Sequence, residues 1–174
     1  AHTGMSLLRG IADDLPLESW LREHIFPLER KWVSPEFTYW GTLLASAEMI
    51  RSGTTAFNDM YFFQDSSARA STEAGLRMVA GQTLVEESDV DKTGVDPIKN
   101  FERFLEAVAD FPLVTPRIAP HAVYSVSMAT WKKIISFCRS SKLGVHTHLS
   151  EVQSEVTACK KQYGKSPVEV FEDL

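Results

Sequence analysis

Hydrophobic and polar positions along the chain follow two periods that take turns. Segments with apolar residues at helical spacing alternate with short β-prone runs bounded by Gly, Pro and polar residues. Pro16 opens a short amphipathic helix on Leu17, Trp20, Leu21 and Ile25; Pro27 is expected to end it, leaving Glu29 just beyond. Ser34-Pro35-Glu36 is an N-cap followed by proline at the first helical position. From there Phe37, Trp40, Leu44, Ala47 and Ile50 keep a helical stripe up to Gly53. Thr54 to Asp59 reads as a buried strand, 65 to 74 as a small-residue helix closed by Gly75, and Leu76 to Val85 as the next strand. A polar stretch, Glu86 to Asp96, is expected as a loop over one end. Asp96-Pro97 then starts a helix with Ile98, Phe101, Phe104, Leu105 and Val108 on its apolar face. Val114 to Ala119 is a strand that leaves through Pro120 to Tyr124, and Ser127 opens a helix carrying Trp131, Ile134, Ile135 and Cys138. Leu143 to Leu149 reads as a further strand, with Ser150 as the cap of a helix over 151 to 162 and Glu151 in its first turn. After Ser166-Pro167, 168 to 174 is a last helix. Strands near 54, 76, 114 and 143 alternating with helices predict βαβ units and a parallel sheet.

Chemistry-bearing residues cluster after the strands: Asp59 and Tyr61 after the first, His121 after the third, His148 and Glu151 after the fourth. In open parallel sheets and in parallel barrels alike, sites form at that edge. Side chains two apart on a strand share a face, so His146 and His148 point the same way, and Glu151 can lean back over them. Two imidazoles and a carboxylate are what metal-assisted hydrolysis asks for. The competing readings are plain ones. His146 can be a packing residue one layer down, bonded to a backbone carbonyl; His24, in mid-helix, a surface residue; Glu29 a solvated carboxylate; Asp59 a loop cap; and His121 a loop-packing residue beside Pro120. A closed barrel needs eight strands and about 250 residues, so the sheet is either open or part of a barrel.

Composition narrows the classes. A chain of 174 residues with 44% hydrophobic and 24% charged residues can bury a sizeable core. Its net charge of -5 and scattered Lys and Arg argue against a nucleic-acid partner. No apolar run approaches a membrane span and no cleavable leader precedes His2, so a cytoplasmic location is expected. Cys138 and Cys159 both fall in helical patterns and are expected as reduced thiols. The opening, Ala1 to Gly10, has no initiator methionine and no strand ahead of His2, and reads as the middle of a longer sequence.

One resemblance runs along the whole chain, in order. His2-Thr-Gly-Met-Ser-Leu-Leu-Arg-Gly-Ile-Ala-Asp-Asp-Leu-Pro-Leu, Trp20-Leu, Pro27-Leu-Glu29, Glu48-Met, Gly53-Thr-Thr, Asp59-Met-Tyr, Pro120-His121 and Val145-His-Thr-His-Leu-Ser-Glu151 together resemble the cytosine/adenosine-type deaminases of the amidohydrolase superfamily. The branch they resemble most is that of S-adenosylhomocysteine and methylthioadenosine deaminases, with the chlorohydrolases nearby. The resemblance implies an α/β fold, a partial (β/α)8 TIM barrel of about the first five βα units, forming a single, truncated metal-dependent hydrolase domain over 1–174. It implies one divalent ion, zinc or else iron, with His2 and His148 as metal ligands. Glu151 would be the proton shuttle, Glu29 the carboxylate that receives ribose hydroxyls, and His121 a hydrogen-bond partner of the bound nucleoside. The first histidine of the family's His-x-His motif would precede residue 1, and a strand-six histidine and strand-eight aspartate would lie beyond Leu174. The implied reaction is hydrolytic deamination of an adenine nucleoside. The alternatives are another amidohydrolase reaction on a heterocycle, such as that of a chlorohydrolase or a guanine or cytosine deaminase, and a catalytically incomplete fragment that pairs its open sheet edges with another copy. Unpaired parallel edges make a homo-oligomer the expectation.

Overall fold

The alternation of strand and helix is realised in a computed structural model that describes residues 1–86 and 96–174. A 3-10 turn at Thr3–Leu8 is followed by α1 (Leu17–Ser19), a wide π turn (Trp20–Ile25), α2 (Phe26–Trp32) and α3 (Pro35–Arg51). Then come β1 (Ala56–Tyr61), α4 (Gln64–Ala74), β2 (Arg77–Leu84), α5 (Pro97–Ala107), β3 (Val114–Pro120), α6 (Met128–Ser141), α7 (Gln153–Tyr163) and α8 (Pro167–Glu172). The strands form a three-stranded sheet in the order β1-β2-β3, with β1 parallel to β2 in the register Ala56↔Arg77 to Tyr61↔Gln82. The fold is α/β. Of the loop expected over Glu86 to Asp96, residues 87–95 lie outside the described residues. No helix among the described residues is long and apolar enough to cross a membrane. The chain divides into two compact units, one of residues 1–82 and 88–116, the other of 83–87 and 117–174.

In the first unit the strong caps act as the sequence predicts. Ser34 accepts from the Phe37 N–H, Asp96 from Ile98 and Lys99, and Gly75 closes α4 at φ 76°, a left-handed conformation that glycine adopts without steric cost. Phe101, Phe104 and Val108 of the α5 segment are buried, as the apolar spacing requires.

Two expectations fail here. Pro27 does not end the first helix. The π turn immediately before it, where the Phe26 N–H reaches the Leu21 carbonyl five residues back, widens the backbone, and the helix continues to Trp32. Such a turn accommodates a proline ring that would otherwise press on the carbonyl four residues earlier. Glu29 therefore lies inside α2 and is buried, while His24, within the π turn, is half-buried.

The second failure concerns which face of α3 turns inward. Thr38, Gly41, Thr42, Ala45 and Ser46 are buried, whereas Trp40 is 53% and Ile50 51% exposed. The packing is by close approach of small residues. A Cβ on Gly41 would collide with the Gly4 backbone, and a hydroxyl chain links Thr3 to Thr42 (2.9 Å) and Thr42 to Ser67 (3.0 Å). Hydroxyls that bond one another can be buried at little cost, so a polar stripe serves as the packing face.

In the second unit, Ser127 caps α6 through the Thr130 N–H, and Glu86 accepts from the Ser127 N–H and from the Ser127 and Thr130 hydroxyls. Trp131, Ile134 and Cys138 of α6 are buried, and Trp131 stacks tilted on Phe171 with ring centroids 4.6 Å apart. Val123, Cys159 and Val170 form a small core with Met128, Tyr163 and Phe171 against it. Ser166 and Glu169 close a capping box at α8. Cys138 and Cys159 are free and buried, and burial pushes both thiols up in pKa.

The fourth expected strand contracts to a single parallel bridge, Ile118↔Val145. The hydrogen bonds explain why. The His146 N–H goes to the Ile118 carbonyl but the His148 N–H goes to that of His121, one residue further than a regular parallel ladder allows. The slip ends the strand. Nor does Ser150 cap a helix: it takes a left-handed turn (φ 55°), α7 starts at Gln153 with Val152 at its N-cap, and Glu151 precedes the helix instead of lying in its first turn.

Candidate metal and substrate residues

His2 sits beside β1, where the Met60 N–H donates to the Ala1 carbonyl. The Nδ1 of His2 is hydrogen-bonded to the Met60 carbonyl, which sets the tautomer with its proton on Nδ1 and makes Nε2 the nitrogen with the lone pair. Histidines that bind metals are commonly oriented this way, by a carbonyl on the other ring nitrogen. The backbone just after it is held by Asp59, fully buried at the end of β1. Its Oδ1 accepts from the Thr3 N–H at 2.7 Å and its Oδ2 from Gln64 Nε2 at 2.8 Å. Burial raises the Asp59 pKa, and the two hydrogen bonds oppose that rise. Asp59 is thus more than a loop cap, since it ties three segments together.

Glu29 is only 6% exposed. Its Oε1 accepts from the Tyr61 hydroxyl at 2.8 Å, and Oε2 meets no donor among the described residues. Burial raises the Glu29 pKa against the lowering effect of the Tyr61 bond, and burial followed by the Glu29 charge raises that of Tyr61. A buried carboxylate with one oxygen pinned by a tyrosine can accept hydroxyl donors from a ligand on the other. The solvated carboxylate weighed above does not fit this burial.

In the second unit His121 and His148 come together, with ring centroids 4.8 Å apart and planes at 59°. His121 leaves β3 with its N–H on the Leu84 carbonyl and its Nδ1 on Ser125 Oγ at 2.9 Å. The His121 carbonyl in turn receives the His148 N–H at 2.8 Å and the Thr147 hydroxyl at 3.0 Å, so the loop after β3 sets the backbone of His148. His146 is held lower, by its N–H on Ile118. The Glu151 side chain is exposed, while its N–H donates to Glu155 Oε2 at 2.8 Å.

Ser125, Gln64 and Glu155 were not legible as site residues. Each acts on a functional residue through one hydrogen bond, and only Glu155, four residues after Glu151, carried even a spacing cue. Among the described residues no group of three or more His, Cys, Asp or Glu side chains could hold a metal ion. The donor chemistry of His2 suits a divalent ion, but a catalytic zinc takes three protein ligands. The sequence reading names two candidates, His2 and His148.

The amidohydrolase family model matches residues 1–174. The chain is 43% identical over 174 residues to a 5-methylthioadenosine/S-adenosylhomocysteine deaminase of Thermodesulfovibrio yellowstonii, covering 99% of this chain and 40% of that protein. It is 42% identical over 173 residues to a 5'-deoxyadenosine deaminase of Methanospirillum hungatei, covering 98% and 38% respectively. Among solved structures it is similar to an adenosine deaminase from Xanthomonas campestris with bound zinc, at TM-score 0.92 and 35% identity over 99% of this chain and 39% of the other. The chain spans about 40% of the length of the curated relatives it matches.

Proposed function

The chain belongs to the amidohydrolase family, and we propose that it forms part of a metal-dependent hydrolase that deaminates an adenine nucleoside, of the S-adenosylhomocysteine, methylthioadenosine or adenosine type, with release of ammonia. It would supply about the first five βα units of one (β/α)8 barrel domain. The observation that carries the reading is the unbroken similarity, from end to end of the chain, to proteins named for that reaction. The structure supports it through Glu29, a buried carboxylate with one oxygen left for a donor.

The roles are assigned residue by residue. His2 and His148 are metal ligands, joined by others from the part of the protein this chain does not span. They would hold a divalent ion, zinc by the donor type, which when bound would make a water acidic enough to attack near neutral pH. Glu151 accepts that water's proton and returns it to the ring nitrogen next to the carbon under attack. Glu151 then carries the remaining proton of the added hydroxyl to the amino group, the C–N bond breaks, the ring keeps a carbonyl and ammonia leaves. His121, with Nδ1 on Ser125, is a hydrogen-bond partner of the bound nucleoside. Glu29, braced by Tyr61, receives the ribose hydroxyls.

Ammonia release from adenosine and from its 2′,3′-dideoxy analogue by the full-length protein tests this directly. The wild type is expected to prefer adenosine, and Glu29→Gln to lose most of that preference. No ammonia from any adenine nucleoside would refute the proposal.

A further inference from the structure

We propose that Glu155 is a positioning residue that holds the backbone of Glu151 in place for proton transfer, separately from whatever holds His148. The inference rests on the role given to Glu151 above. Glu155 belongs to the first turn of α7 and is only 5% exposed, an unusual place for a carboxylate that forms no ion pair among the described residues. Its two oxygens are spent on successive backbone amides, Oε1 on the Ser150 N–H at 3.3 Å and Oε2 on the Glu151 N–H at 2.8 Å. In an ordinary capping box the glutamate at this helical position returns to the N-cap amide, here that of Val152. Glu155 instead reaches one and two residues further upstream.

The left-handed Ser150 (φ 55°) explains the pattern. It turns two consecutive N–H groups toward one point, a small anion-binding concavity, and Glu155 is the anion that fills it. Ser150 has a Cβ and does not favour this conformation. The carboxylate therefore stabilises a turn the local sequence would not choose, and that turn sets where Glu151 leaves the backbone. His148, three residues earlier, is anchored elsewhere, by its N–H on the His121 carbonyl. One residue thus governs the base and another the ligand, and removing Glu155 separates the two.

The test uses the full-length protein with Glu155→Ala and Glu155→Gln. Three quantities are read: amide hydrogen exchange at residues 150 and 151, kcat and KM for adenine nucleoside deamination, and bound metal per chain. In Glu155→Ala, exchange at both amides rises at least about tenfold and kcat falls about 10–100-fold, with KM and metal content within about twofold of wild type. Glu155→Gln, which keeps one acceptor oxygen, falls between. A purely structural role would lower stability while leaving kcat of the folded variant untouched, and that result overturns the proposal, as does loss of metal in step with activity. If Glu155→Ala does not fold, Glu155→Gln decides: unchanged exchange at 150 and 151 overturns the inference. Absence of deamination in the wild type would instead defeat the functional reading, while the exchange result stands on its own.

Discussion

Replacing Asp59 tests the organisation of the first unit most sharply, because two variants that look alike on paper should behave differently. Asp59→Ala deletes both acceptors at once. The Thr3 N–H and the Gln64 amide, each almost fully buried, are left with nothing to bond. A buried donor stripped of its partner costs about 1–3 kcal/mol, so two of them cost roughly 2–6 kcal/mol, reduced somewhat because a buried charge also disappears. Asp59→Asn is milder for a reason visible in the structure. Gln64 Oε1 is buried and meets no donor among the described residues. When the Gln64 amide turns over, that oxygen receives the new asparagine amide N–H, and the asparagine oxygen keeps the Thr3 N–H. Two neutral bonds replace two charge-assisted ones, a loss of about 1–2 kcal/mol. Chemical denaturation of the full-length protein, followed by tryptophan fluorescence, measures both. Because Thr3 adjoins His2, zinc affinity in Asp59→Ala should also fall about 10–100-fold. Equal destabilisation by the two variants, or a loss under about 1 kcal/mol in Asp59→Ala, would refute the reasoning.

Tyr61→Phe withdraws the hydroxyl from Glu29 Oε1 and should cost about 1.5–3 kcal/mol, since the bond lost is to a buried carboxylate; a double-mutant cycle with Glu29→Gln reads the coupling. Burial holds the Glu29 pKa above its unfolded value, so the folded state binds more protons than the unfolded state between those two values. Its contribution to stability accordingly falls as pH rises through that window. Glu29→Gln should remove this component and Tyr61→Phe should widen the window; a wild-type pH profile superimposable on that of Glu29→Gln would contradict this. With only His2 and His148 of the proposed ligand set, the 174-residue chain purified alone should hold well under one equivalent of zinc or iron, and elemental analysis finding a full equivalent would show that other residues complete the shell.

The parts of the fold that could be read from sequence are those specified by local chemistry. Ser34-Pro35, Asp96-Pro97, Ser127 and Ser166-Pro167 each start a helix where the caps place it, and Gly75 stops one. What could not be read depends on non-local compensation. The effect of Pro27 is absorbed by a π turn, a choice no propensity encodes. The inward face of α3 is set by how closely Gly41 approaches Gly4 and by hydroxyls bonding across to Ser67, which a hydrophobicity pattern reads as the outer face. The strand at His146 and His148 is truncated by a register slip against the loop after β3. The candidate site residues were proposed from motif order, which carries no information on the hydrogen bonds that support them. Glu29 looked solvated until Tyr61 was seen to bind it, and Glu151 looked like a helix-start residue until Glu155 was found holding the turn before the helix.

Ammonia release by the full-length protein, followed alongside consumption of S-adenosylhomocysteine, methylthioadenosine, 5'-deoxyadenosine and adenosine, and repeated with Glu151→Gln, bears most directly on the central claim. One ammonia per nucleoside consumed by the wild type, with turnover in the variant reduced by at least about a hundredfold, is the expected result. Nucleosides left intact by the wild type, or a variant that turns over undiminished, would contradict it.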